Sequence, residues 1–177
     1  SKSLGVEEPL LIQPKGDFLR LKNLGYLYSS GRAKVIVSAE AASSPIWDKD
    51  KFPLLKLATG TVTDRDFIID TLKNYGYLSV PIVSAQGELS IRGGILDVFP
   101  PGEDLPLRIE FFGDEIESIR IFDTDTQRAV KELKEISVCP VREPDEGPSL
   151  IEILKDSMLI LNEPDDIKRQ HPELFSA

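Results

Sequence analysis

Between Tyr77 and Val141 the sequence writes six short strand-like runs in close succession: "YLSVPIVS", "ELSIR", "GILDVFP", "LPLRIEFF", "EIESIRIFD" and "EISVCPV". Turn signals separate them, namely Gln86-Gly87, Pro100-Pro101-Gly102 and Gly113-Asp114, residue types that supply the backbone angles of tight reversals. Runs this short, joined by connections too brief for a crossover helix, read as a small antiparallel unit.

The flanks read differently. "DRDFIIDTLKNYG" carries a helical stripe of Phe67, Ile68, Leu72 and Tyr75 that stops at Gly76, and Thr63 followed by Asp66 has the form of a capping box. Upstream, Phe18, Leu19, Leu21, Leu24 and Leu27 predict a helix ending at Gly31, and "AKVIVS" at 33–38 reads as a buried strand. "AEAASSPIWDKDKFP" reads as a short helix followed by a surface loop. Near the end, an amphipathic turn at 149–155 leads into "SMLILNEP", a predicted buried strand that delivers Asn162 and Glu163. The expected fold class is therefore α+β: an α/β layer over 1–60, an inserted antiparallel α+β domain over 61–143, and a return segment over 144–177.

Composition narrows the function classes. The chain has 177 residues, 41% of them hydrophobic, enough to build a core. No run approaches the roughly 18 apolar residues of a membrane span, and "SKSLGVEEPLL" lacks the pattern of a signal peptide, so the expected location is the cytoplasm, with no membrane partner. A single cysteine, Cys139, in an apolar run and a single histidine, His171, in a polar tail exclude a disulfide framework and a zinc set. The net charge of −9, with 30 acidic against 21 basic residues and no Lys/Arg cluster, argues against direct DNA binding.

Catalytic machinery is not legible, and no cofactor or metal is expected. No glycine-rich run with a following lysine cradles a phosphate; Gly93-Gly94 lies between strand signals and reads as a bulge or tight bend. "LILNEP" has the outline of a strand delivering a magnesium-binding acidic pair, yet Asn162 stands where an aspartate is needed, leaving only Glu163. An ordinary strand-to-helix junction is an equal reading. Asp114 with Glu115, and Asp123 with Asp125, lie at turns and read as solvated residues.

The strand residues say more. In "LRIEFF" the period of two puts Leu107, Ile109 and Phe111 on one face and Arg108, Glu110 and Phe112 on the other. Leu89 and Ile91 take the inward positions of their strand, which turns Arg92 outward. Two readings stand side by side: a docking face of Arg92, Arg108 and Phe112, the residue types enriched at interface hot spots, or arginines that merely pair with Glu110 or Asp97 across the sheet.

"RGGILDVFPPGEDLPLRIEFFGDEIESIRIFDTDTQRAV" closely resembles the second domain of the bacterial transcription-repair coupling factors (Mfd) and, more distantly, UvrB. The motifs R-G-x-[IL]-[IL]-D-[LIV]-F-P, L-P-x-R-[IL]-[ED]-F-F, D-[ED]-[IV]-[ED]-S-[IL]-R and F-D-x-[ED]-[TS]-Q-R occur in that order. The flanks "AKVIVSAEAASSPI", "TVTDRDFIIDTLKNYGY" and "SLIEILKDSMLILNEPDDI" are similar as well, so the resemblance covers nearly the whole chain.

The resemblance implies a fragment of a much longer protein: part of a helicase-like (RecA-like, UvrB-like) layer that has lost ATPase function, with degenerate Walker-B-like residues Asn162 and Glu163, around a UvrA-binding domain. The UvrA contacts of that family match Arg92, Arg108 and Phe112 here. The parent it implies is an ATP-dependent DNA translocase that displaces stalled RNA polymerase and recruits UvrA, the contact surface being masked by a C-terminal domain. The competing class is a nucleotide-hydrolysing helicase-type fragment that binds DNA directly. One departure stands out: between "CPVREPDEG" and "PSLIEIL" the family carries a longer, partly helical stretch.

Overall fold

The computed structural model describes residues 9–30, 33–154, 158, 160 and 164–172. The chain forms two compact units, one built from its two ends and one from Pro53–Arg142.

In the first unit, β1 (Leu10–Ile12) pairs in parallel with β2 (Val35–Val37), and α1 (Phe18–Ser30) lies between them in the chain. A short helix, α2 (Ala39–Ser43), follows, its first turn capped by the Ser38 hydroxyl. Ile12, Leu24, Ile46 and Leu150 form the centre of this unit's core. Arg20 is fully buried there, which is tolerable only because every side of it is paired. Its Nε donates to the Glu143 carboxylate at 2.7 Å and its Nη1 to the carbonyls of Gln13 and Ala41.

The second unit opens with β3 (Leu55–Ala58) and α3 (Arg65–Asn74). The cap of α3 is Asp64, not Thr63: the Asp64 carboxylate accepts from the backbone amides of Asp66 and Phe67 at 2.9 and 3.3 Å. An aspartate at that position reaches two otherwise unpaired amides and carries the charge that the helix N-terminus favours. Ile68, Ile69 and Leu72 face the core, while Phe67, expected within the apolar stripe, is 64% exposed.

The six-stranded sheet runs β4 (Leu78–Ser79), β5 (Glu88–Arg92), β6 (Ile95–Val98), β7 (Leu107–Phe112), β8 (Glu115–Phe122) and β9 (Ala129–Leu133), each bonded to the next. It is antiparallel except at one edge, where β4 pairs in parallel with β5. Most of the expected "YLSVPIVS" strand is lost because Pro81 has no N–H to extend the ladder. The strand β9 was not legible, since "AVKEL" exposes four consecutive residues and lacks alternation. The last strand, β10 (Glu135–Val138), leaves this sheet and pairs with β3. That pairing draws Leu55–Ala58 into the second unit, so its compact body begins at Pro53, earlier than the expected boundary between 60 and 61. Leu57, Ile68, Leu72, Leu89, Leu96, Ile109, Ile116, Ile119 and Val138 fill one core under the sheet.

The chain then returns to the first unit. Glu143 carries the ion pair to Arg20 and also accepts from the Gly16 amide, and Pro148 accepts from the Ile46 amide at 2.9 Å. The helix α4 (Leu150–Ile153) opens on a capping box of Ser149 and Glu152, and α5 (Pro164–Gln170) follows. Of the predicted buried strand "SMLILNEP", the described members Met158 and Ile160 are exposed, and Ser157, Leu159 and Leu161 lie outside the described residues. Asn162 and Glu163 lie outside the described residues. Among the described residues no helix is long and apolar enough to cross a membrane.

Candidate partner-docking face

The outward face of the six-stranded sheet is ordered by register. Ser90, Asp97, Arg108, Arg120 and Glu132 stand opposite one another across β5 to β9, and Arg92, Ile95, Glu110 and Ser118 form the next row. Phe112 lies two positions beyond Glu110 on β7 and points to the same side. Arg92, Arg108 and Phe112 therefore share one face. The burial pattern of β7 alternates as expected, with Leu107, Ile109 and Phe111 inward.

Two tight hairpins place these residues at the end of the sheet. Gly93-Gly94 joins Arg92 to its partner Ile95, and Gly113-Asp114 joins Phe112 to Glu115. Gly93 and Gly113 have φ of 59° and 61°, as the first central position of a II′ turn requires. Gly94 is needed for a second reason: the Phe111 carbonyl oxygen would lie 2.9 Å from any Cβ there. Arg65 donates to the Gly93 carbonyl at 2.6 Å and ties the first hairpin to α3.

Of the cross-sheet pairings expected for the two arginines, the one with Asp97 is observed. Asp97, 1% exposed, accepts from Arg92 Nη2 at 2.6 Å, from Arg108 Nε at 2.7 Å and from Arg108 Nη2 at 2.8 Å. Two guanidinium groups on one carboxylate give the Arg92–Asp97–Arg108 cluster one more positive than negative charge. Hydrogen bonding to Asp97 raises the Arg108 pKa above its ordinary value, so the group stays charged throughout. Arg108 and Arg120 stand directly opposite in the register, a like-charge pair that would be unfavourable if each lacked its own anion. Arg108 turns to Asp97, and Arg120 turns to Glu110 at 2.7 Å, which also accepts from the Ser118 hydroxyl.

A β-bulge makes that pairing possible. The register slips between Glu110 and Phe111, leaving Glu117 without a partner on β7. Ile116 and Ile119 then both face the core while Ser118 faces Glu110. Phe122, two residues past Arg120 on β8 and so on the same face, lies under the Arg108 guanidinium, 4.2 Å from carbon to ring centroid. Gln127 completes the enclosure, accepting from Arg108 Nη2 at 2.9 Å.

The side chain of Arg108 is only 16% exposed, Arg92 is 42% exposed, and Phe112 is 78% exposed. Sequence reasoning treated the three alike; the structure separates a free aromatic from two tethered cations. It also missed Arg120, Phe122 and Gln127, whose only signal is their place in the register. Among the described residues no three His, Cys, Asp or Glu side chains gather as a metal would require.

Residues 55–143 match the UvrB interaction domain. Curated relatives bear the name transcription-repair-coupling factor. That of Myxococcus xanthus is 49% identical over 88 residues, 50% of this chain and 7% of that protein. That of Escherichia coli is 36% identical over 120 residues, 66% of this chain and 10% of that protein, and that of Bacillus subtilis is 36% identical over 118 residues, again 10% of its length. The chain thus spans a tenth or less of these relatives. The match runs from the first residue of β3 past the end of β10 and takes in the whole arginine-lined sheet, so the chain belongs to the UvrB interaction domain family.

Proposed function

We propose that this chain is a non-catalytic module of a transcription-repair coupling factor that recruits UvrA in transcription-coupled nucleotide excision repair, in the cytoplasm. The observation that carries the proposal is Phe112. A phenylalanine held 78% exposed beside two arginines on a rigid sheet is unfavourable in water and favourable under a partner. In this reading Phe112 is the apolar anchor and Arg92 and Arg108 supply charged hydrogen bonds. The fixed hairpin geometry lowers the ordering entropy lost on docking.

The first unit, with its parallel β1–β2 pair and surrounding helices, fits the remnant of a helicase-like layer in this reading. The parent protein would be an ATP-dependent translocase on double-stranded DNA that displaces stalled RNA polymerase, with its UvrA surface masked by a C-terminal domain until it is needed.

A titration of UvrA with the purified chain tests the proposal. Phe112→Ala is expected to weaken binding by at least about tenfold, the scale of a hot-spot truncation, with an unchanged melting temperature. Wild-type affinity in that folded variant would remove Phe112 from the interface and the proposal with it.

A further inference from the structure

Arg108 has five N–H donors. Nε and both hydrogens of Nη2 are taken by Asp97 and Gln127, and Phe122 covers one face of the group. Nη1 has no acceptor among the described residues, so its two donors remain on an otherwise immobilised fork. The loop that delivers Gln127 is held by its own hydrogen bonds. Asp123 accepts from the Thr126 amide and hydroxyl, both at 2.8 Å, and from the Asp125 amide, which bends the chain after β8. The next residue, Gln127, adopts φ 58°, the one non-glycine residue with positive φ among those described. Its amide nitrogen donates back to the Thr124 carbonyl, leaving the side-chain oxygen to accept from Arg108.

A left-handed backbone at a residue with a Cβ is unfavourable, and is usually held where geometry matters to function. We infer that Gln127 is a positioning residue for partner docking: with Asp97 it locks Arg108 so that the Nη1 edge meets an acidic side chain of UvrA. The inference rests on the proposed UvrA reading. It also assigns the partner chemistry at this point, a carboxylate beside an apolar pocket for Phe112.

The test is a double-mutant cycle read by UvrA affinity. Gln127→Asn keeps a residue that tolerates positive φ and shortens the amide, so the loop persists and the Arg108 contact is lost. Affinity is expected to fall roughly three- to tenfold, the effect of freeing one rotamer-rich side chain at an interface, with the melting temperature unchanged. In an Arg108→Ala background the same change is expected to do nothing further, and Gln127→Glu, which retains the acceptor, is expected to bind better than Gln127→Asn. Wild-type affinity in Gln127→Asn while Phe112→Ala is weak would overturn the inference and leave the UvrA reading standing. An equal loss with and without Arg108 would also overturn it, because Gln127 would then act by another route. Unchanged affinity in Phe112→Ala would sink both.

Discussion

Phe111 and Phe112 are neighbours in the chain with opposite surroundings: the first lies in the core beneath the sheet and the second stands in solvent. Phe111→Ala is expected to cost about 3–5 kcal/mol of stability through the cavity it leaves. Phe112→Ala is expected to stay within about 0.5 kcal/mol of wild type while losing partner affinity. Denaturant melts of the two variants, set beside their binding curves, separate the roles. Asp97 is the residue on which the cations depend. Asp97→Ala would leave two arginines without their shared anion and is expected to destabilise the fold by about 3 kcal/mol. A variant that melts like wild type would show that Asp97 is dispensable.

At the scale of elements, β3 decides where the second unit begins. A chain starting at Thr61 lacks the partner of β10 and uncovers Leu57's neighbours in the core, including Val138. It is expected to melt without cooperativity, whereas residues 53–142 are expected to unfold in one transition and to retain UvrA binding; calorimetry on the two chains distinguishes them. The cap of α3 gives a smaller effect. Asp64→Ala is expected to cost about 1 kcal/mol, and Thr63→Ala close to nothing, since the Asp64 carboxylate holds the Asp66 and Phe67 amides.

For the molecule as a whole, buried tyrosines set an alkaline limit. Tyr77 is buried with its hydroxyl donating to the Cys139 carbonyl, and Tyr28 donates to the Trp47 carbonyl. Burial pushes both phenols well above their ordinary value. The native state therefore keeps its phenolic protons while the unfolded chain releases them above about pH 10. Stability is unaffected by these groups below that pH and falls as pH rises through it. Melting temperatures measured from pH 8 to 11 are expected to drop at the upper end, with a shallower drop in Tyr77→Phe. A flat profile would mean that neither phenol is closed to solvent.

Alternation in "LRIEFF" was enough to turn Arg108 and Phe112 outward, because β7 is the regular strand of the sheet and period two is a local property. The helices α1 and α3 were legible for the same reason: spacing and stop signals act within a few residues. The α+β class followed from those local patterns, and the family resemblance from motifs written in order along the chain. What the residues alone could not convey is everything set by register between strands. Arg92, Arg108 and Arg120 are scattered through an acidic sequence, so no basic cluster is visible until antiparallel pairing brings them beside Asp97 and Glu110. The bulge at Glu117, the reach of Gln127 to Arg108 and the recruitment of β3 by β10 are likewise contacts between distant segments. Local sequence carries propensity and face; only the assembled sheet decides which charges meet, because that depends on how strands slide past one another before they lock.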